Sequence, residues 1–285
     1  MRIGRTVSAV GDVEKNMLEI KALGFDTVDV QLADIKQPWY HDEAEMERIC
    51  TRTRKAAEAA GLEIFQMHGP WPTWDTTEES RAEGWDAFHR CVYACHVLGT
   101  KHMILHPQMP YGWSAPETDP DYAEGLTVAL LRDLLPDCEK YGVILCLENM
   151  PFLKQRISTM DRIVEAVKKV NSPYVGICLD TGHVNVFAGR NLGEDVRLAA
   201  PYLKTLHVHD NDGKGDRHML PYLGTADWDS FTAALAEIGY DGSMSLETLG
   251  PVSDRMPPHI LEKAMQLATD TARYLADEVE RKRKK

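Results

Sequence analysis

The sequence predicts an α/β protein folded as a (β/α)8 TIM barrel. Three observations carry that prediction. Short apolar runs alternate with longer amphipathic segments from end to end, which implies parallel strands joined by crossover helices. A glycine stands between segment and run at Gly24, Gly61, Gly99, Gly142 and Gly239. The 285 residues divide into eight strand-helix units of about 36 each, the usual size for a barrel of ~250 residues plus insertions. The rival is an open doubly wound sheet, which usually carries a glycine-rich phosphate turn after its first strand. Here that position reads Val7-Ser8-Ala9-Val10-Gly11-Asp12, with no G-x-G-x-x-G. No low-complexity linker or shift of composition divides the chain. Residues 1–280 are read as a single barrel domain, followed by a basic tail at 281–285.

The strand-like runs begin near Ile3, Thr27, Glu63, Lys101, Val143, Tyr174, Lys204 and Gly242. Between them, Glu43 to Ala60 sets Met46, Ile49, Ala56 and Ala57 on one side and charges on the other, and Gly61 serves as its C-cap. Ser80 to Leu98 ends at Gly99, and Ala123 to Tyr141 ends at Gly142. Thr159 to Val170 follows Ser158 as an N-cap. Asp227 is the expected N-cap of a helix reaching Ile238 and ending at Gly239. Pro258 to Val279 is the last helix. The run Arg281-Lys282-Arg283-Lys284-Lys285 is expected to be a solvated, frayed end.

Composition narrows the function. A hydrophobic share of 44% suffices for a large core, and the net charge is -12. An acidic surface argues against a nucleic-acid partner, which needs a basic stripe, and against an anionic membrane. The six cysteines form no C-x-x-C pair and read as small buried residues of a reducing compartment. The start has no apolar targeting segment, and no apolar run approaches the ~18 residues of a membrane span. A cytoplasmic, soluble protein is expected.

Four apolar runs end in a metal-binding residue: Leu145-Cys146-Leu147-Glu148, Ile177-Cys178-Leu179-Asp180, Lys204-Thr205-Leu206-His207 and Met244-Ser245-Leu246-Glu247. A buried strand that ends in a charged group is costly unless the group is paired or at work. In a barrel all strands deliver their C-terminal ends to one face, where the active site sits. Strands three and four end at His68 and His106, and strand six continues to His183. Six successive strands thus aim His, Asp or Glu at one mouth. His207 and His209 fall on the same side of strand seven, so either fits the pattern.

Two glutamates, an aspartate and an imidazole suit a divalent metal, Mn²⁺ or Zn²⁺ first and Mg²⁺ or Co²⁺ also, and exclude a soft thiolate site. Glu148 and Glu247 would flank a bound substrate across the mouth. Paired carboxylates beside a metal-polarised carbonyl are what proton abstraction and return need. Asp216 and His218 sit in a loop after Gly213-Lys214-Gly215, and Arg217 is placed to meet a phosphate or hydroxyl. Trp71 and Trp113, in loops that also hold Pro70, Pro72, Trp74, Pro110 and Tyr111, suit stacking on a sugar.

These residues resemble the xylose-isomerase-like barrels: sugar and sugar-phosphate isomerases and epimerases, with zinc-dependent AP endonucleases as cousins. The resemblance spans nearly the whole chain. Its most specific parts are Leu147-Glu148-Asn149, Leu179-Asp180-Thr181-Gly182-His183, His207-Val208-His209-Asp210 and Leu223-Gly224-Thr225-Ala226-Asp227-Trp228. In the epimerase branch the positions matching Glu148, Asp180, His207 and Glu247 bind one metal. The two glutamates there act as acid and base, and the match of His183 contacts substrate. This register favours His207 over His209. The endonuclease branch holds three zinc ions, with extra ligands falling here on His68, His106, His183, Asp216 and His218.

The resemblance implies a metal-dependent sugar or sugar-phosphate isomerase or epimerase with a small carbohydrate as its partner. The alternative is a lyase or dehydratase acting on a keto-sugar, inosose or keto-glycoside. A multi-zinc phosphodiester hydrolase ranks below both, because the acidic charge opposes DNA. A homo-oligomer is allowed by analogy with such barrels.

Overall fold

The computed structural model describes residues 1–32, 34–71, 73, 77–112, 114–248 and 255–284. Eight strands form one parallel sheet: β1 (Arg2–Ser8), β2 (Thr27–Gln31), β3 (Glu63–His68), β4 (His102–Leu105), β5 (Ile144–Glu148), β6 (Val175–Asp180), β7 (Leu203–His207) and β8 (Ser243–Leu246). Each strand from β1 to β6 pairs with the next, and β1 also pairs with β8. The ring closes through a bridge just past β7, where Val208 N–H donates to Ser245 O at 2.8 Å and Glu247 N–H to Val208 O at 3.1 Å. This is the predicted TIM barrel.

The helices described are α1 (Val13–Leu23), α2 (Glu43–Ala60), α3 (Glu78–Leu98), α4 (Pro120–Tyr141), α5 (Met160–Val170), α6 (Thr181–Asn185), α7 (Leu192–Ala199), α8 (Trp228–Glu237) and α9 (Pro258–Arg283). The five segment-ending glycines all lie in the left-handed region, with φ from 69° at Gly239 to 99° at Gly24. That conformation stops a helix and lets the chain turn back into a strand. Asp227 caps α8 by accepting from Ser230 N–H at 3.0 Å. No helix among the described residues is long and apolar enough to cross a membrane.

Two local expectations are corrected. Thr159, not Ser158, occupies the N-cap of α5; Ser158 closes a short 3₁₀ turn before it. The basic end does not fray from Arg281 to Arg283. These residues extend α9, where Lys282 meets Asp229 at 2.5 Å and Arg283 meets Glu280 at 2.7 Å. The aliphatic stem of a lysine packs on the neighbouring helix while its charge finds a carboxylate.

Strand alternation explains how the mouth is built. Leu145 and Leu147, Ile177 and Leu179, Leu206 and Val208, and Met244 and Leu246 belong to the outer core beneath the helices. Their neighbours face the barrel axis. There Ile104, Cys146 and Cys178 form a separate small apolar cluster. The next inward position on those strands is His106, Glu148 and Asp180. Each mouth residue therefore stands one side-chain layer above a barrel-filling residue.

Two irregularities adjust this rule. The pairing of β2 with β3 slips so that Val28 opposes Ile64 but Asp29 opposes Gln66. The pairing of β6 with β7 slips so that Ile177 opposes Leu203 but Cys178 opposes Thr205. One extra residue in β3 and one in β7 reset the side-chain phase. Gln66 and His68, and Thr205 and His207, turn inward as a result.

Candidate metal centre

Ligand atoms of Glu148, Asp180, His207 and Glu247 all lie within 4.8 Å of one another. His207 Nδ1 is 2.8 Å from Glu148 Oε1 and 3.3 Å from Glu247 Oε2. Glu148, Asp180 and His207 are buried, and Glu247 keeps 22% of its side chain exposed at the rim. Glu148 Oε2 is buried without a hydrogen-bond partner, which is costly for a carboxylate oxygen unless a cation occupies the site. Three carboxylates and an imidazole converging this closely fit a divalent metal.

Further predicted residues surround this quartet. His68 Nε2 lies 3.5 Å and His106 Nε2 3.3 Å from Glu148 Oε2, and the two rings approach each other at 3.1 Å. On the other flank Asp216 Oδ2 is 3.4 Å from His183 Nε2 and 3.1 Å from His218 Nε2. Three of these imidazoles are oriented alike. His68 Nδ1–H donates to Gly69 O at 2.8 Å, His183 Nδ1–H to Asn149 O at 2.7 Å, and His218 Nδ1–H to Glu247 O at 2.7 Å. Each therefore turns Nε2 into the pocket. His218 does so at φ 46°, a strained backbone of the kind that functional sites retain.

Buried charges of opposite sign set the protonation states. Burial disfavours a charged Glu148. The charge of His207, its hydrogen bond, and the nearby imidazoles of His106 and His68 outweigh it and hold the carboxyl well below its ordinary value. Burial likewise opposes a charge on His207, yet Glu247 and Glu148 raise its pKa well above the usual imidazole range. Against the same burial penalty, Asp180 and then Asp216 push His183 up to about 10, and Asp216 and Glu247 push His218 up to about 9. Without a metal the site balances its carboxylates with imidazolium ions; a metal must displace protons.

A cavity of about 350 Å³ opens above the quartet. Trp71, Met150, Pro151 and Phe152 give it an apolar wall, and Gln31 adds a polar edge. One sequence-predicted residue stands apart from this arrangement. Arg217 is 60% exposed, its guanidinium reaches toward Asp212 at 4.0 Å, and it does not line the cavity. A loop residue flanked by two inward-facing neighbours, Asp216 and His218, points outward. Trp113 lies outside the described residues. Among the described residues no lysine or arginine lines the cavity.

Three buried supports stand behind the site; sequence reasoning missed the roles of Asp29 and Asp210 and weighed His209 as the alternative to His207. Asp29, within β2, accepts from His207 Nε2 at 2.8 Å and from Gln66 Nε2 at 3.0 Å. His209 Nε2 lies 3.0 Å from the Asp180 carboxylate, with its ring stacked 4.1 Å from that of His218. A side chain on Gly182 would collide with the His209 ring, so the Thr181-Gly182-His183 turn needs glycine there. Asp210 accepts from Asn211, Tyr222, Gly224 and Ala226 N–H and from Trp228 Nε1. It thereby pins the loop that carries Asp216 and His218. The only sequence signal for Asp29 is a charge inside an apolar strand, Val28-Asp29-Val30.

The ring of carboxylates and histidines stands at the C-terminal mouth of a parallel barrel, the face where TIM-barrel active sites lie. The chain belongs to the xylose isomerase-like TIM-barrel family, whose model matches residues 17–275. A D-psicose 3-epimerase of Ruminiclostridium cellulolyticum is 27% identical over 285 aligned residues, covering 91% of this chain and 90% of its own. An uncharacterised protein, MJ1311 of Methanocaldococcus jannaschii, is 30% identical over 157 residues, and the match spans about half of each chain (53% and 51%). The fold is similar to that of a crystal structure of D-psicose 3-epimerase in the presence of D-fructose. That match has a TM-score of 0.76 and 22% identity, over 96% of this chain and 99% of the other.

Proposed function

We propose that this protein is a metal-dependent epimerase or isomerase of an unphosphorylated sugar. The observation that carries the reading is the convergence of Glu148 and Glu247 on His207 beneath a cavity with an apolar wall and no lining lysine or arginine among the described residues. A phosphate ester is usually met by a lysine or arginine, and none lines this cavity among the described residues, whereas apolar side chains suit the C–H face of a sugar. The family relationship to an enzyme named as a ketose epimerase supports the same class.

Glu148, Asp180, His207 and Glu247 would hold one divalent ion, Mn²⁺ or Zn²⁺ first, with Mg²⁺ or Co²⁺ suited to the same donors. Such an ion supplies Lewis-acid polarisation of a carbonyl and offsets negative charge beside it. The chain's own residues do the rest. Glu148, kept ionised, takes the proton from the carbon next to the carbonyl. Glu247, at the rim with access to solvent, returns a proton to the opposite face of that carbon. One C–H bond breaks and one forms, so configuration inverts without a change in mass. His183 and His218, each with Nε2 turned into the cavity, hydrogen-bond sugar hydroxyls. Trp71 and Phe152 cover the apolar face.

The test is solvent exchange. Wild-type protein with Mn²⁺ should carry solvent deuterium into a ketose substrate. Glu148→Gln and Glu247→Gln should each cut that exchange by about 10²- to 10⁴-fold with the fold retained. Undiminished exchange in both variants would refute the assignment. Loss of water or of an aglycone, seen by mass, would instead identify a lyase. A second reading rests on the extra ligand-type groups at His68, His106, His183, Asp216 and His218: a multi-zinc phosphodiester hydrolase, marked by about three zinc ions per chain and salt-sensitive nicking of abasic DNA.

A further inference from the structure

We infer that Asp29 is a positioning residue for the metal centre, and that it fixes His207 to offer Nδ1, rather than Nε2, to the ion. The inference rests on the reading that Glu148, Asp180, His207 and Glu247 hold the metal.

The geometry separates His207 from three other histidines of the mouth. His68, His183 and His218 each spend Nδ1–H on a backbone carbonyl and present Nε2. His207 is turned the other way. Its Nδ1 faces Glu148 Oε1 and Glu247 Oε2. Its Nε2 points away from the cavity and meets Asp29 Oδ2 at 2.8 Å. The acceptor behind the ring is thus a carboxylate instead of a carbonyl. A carboxylate behind a ligating imidazole fixes its tautomer and orientation and makes the other nitrogen a stronger donor to a cation.

Asp29 has no other evident employment. Its side chain is fully buried, and Oδ1 has no hydrogen-bond partner. Oδ2 takes both donors that reach it, His207 Nε2 and Gln66 Nε2. Gln66 in turn donates to Leu206 O, in the residue before His207, at 3.2 Å. The amide therefore ties the carboxylate to the strand that bears the imidazole. Both irregularities of the sheet serve this contact. The slip in β3 sets Gln66 opposite Asp29, and the slip in β7 turns His207 inward. A residue kept only for packing would be better served by a neutral side chain of the same size, since an ionised carboxylate is costly to bury.

Two measurements test the inference, neither of which uses a sugar. The first is Mn²⁺ affinity of metal-free wild type and Asp29→Asn, by chelator competition. Asparagine keeps the shape and can accept from Nε2–H, so it replaces the carboxylate with the kind of acceptor the other histidines use. The dissociation constant should rise about 10- to 100-fold, while the melting temperature of the metal-free protein stays near that of wild type. An unchanged Mn²⁺ affinity in folded Asp29→Asn overturns the inference. So does a fall in metal-free stability with affinity intact, which would mark a packing role.

The second measurement needs no variant and decides the matter if Asp29→Asn does not fold. In ¹⁵N-histidine-labelled wild type loaded with Zn²⁺, the His207 ring should keep its proton on Nε2 and bind through Nδ1. A retained Nδ1 proton with Nε2 bound overturns the inference. If no sugar is turned over, the epimerase reading fails while both measurements stand. If Asp29→Asn binds Mn²⁺ normally, the inference fails while the epimerase reading stands.

Discussion

The two ends of this barrel are built from the same strands and obey opposite rules. Where the strands begin, the axis is closed by small neutral groups. Thr27 Oγ1 and Ser243 Oγ hydrogen-bond at 2.6 Å, and Gly4 lies between their strands with no room for a side chain. Where the strands end, buried carboxylates and histidines crowd within hydrogen-bond reach, and Glu148 Oε2 has no hydrogen-bond partner. The difference teaches where stability and chemistry lie. The closed end satisfies itself and contributes fixed geometry; the mouth leaves a carboxylate oxygen that a cation would satisfy. Stability at one end and activity at the other is the division expected of this fold.

The largest effect expected is at the mouth. Chelation of the metal should lower turnover by at least about 10³-fold, in line with the several kcal/mol a metal supplies to such a transition state. Circular dichroism should show the barrel still folded, and Mn²⁺ should restore activity. Loss of the fold on chelation would break the comparison, because the mouth would then be a structural site as well.

At the closed end, Gly4→Val should cost about 1–3 kcal/mol, the usual cost of overpacking. The added Cβ collides with Thr27 Oγ1 and Ser243 Oγ. Thermal denaturation would register the loss, and Mn²⁺ affinity should hold within about twofold. A large fall in affinity would show that the two ends are mechanically coupled.

The smallest effect belongs to neither end. On the outer surface His89 lies 2.7 Å from Asp137 and 2.9 Å from Asp133, tying α3 to α4. Burial works against its charge, but the two aspartates raise its pKa above the ordinary imidazole value. A raised folded-state pKa gives stability that is complete below about pH 6.5 and fades as pH rises through the folded value. The group is partly exposed to screening solvent, with 36% of its side chain accessible, so the contribution is well under about 1 kcal/mol. His89→Ala should therefore be slightly less stable than wild type near pH 5.5 and equal to it in alkaline solution. A difference that grows with pH would contradict the sign.

Much of the fold was legible because barrel strands and helices announce themselves locally. Helix α2 spans the predicted residues Glu43–Ala60, and its glycine stop has the predicted left-handed backbone. The quartet Glu148, Asp180, His207 and Glu247 was legible because a charge that ends an apolar run has few structural excuses. The outward course of Arg217 was not legible because loop residues lack a period that says which way they face. Asp29 was missed for a different reason. A lone charge inside a strand shows that something must pair with it, and the partner, His207, is 178 residues away in sequence.

The sequence alone therefore determined the alternation of strand and helix, the helix stops, and the kinds of residue delivered to the mouth. Each of these follows from local periodicity and backbone preference. The tertiary structure decided which nitrogen of His207 faces Glu148 and Glu247, that Asp29 and His209 stand behind two of the quartet, and that no described lysine or arginine lines the pocket. Those outcomes depend on two one-residue slips in strand register and on contacts across the barrel axis. Side-chain phase resets at a bulge, and a contact between distant strands exists only once the sheet has closed.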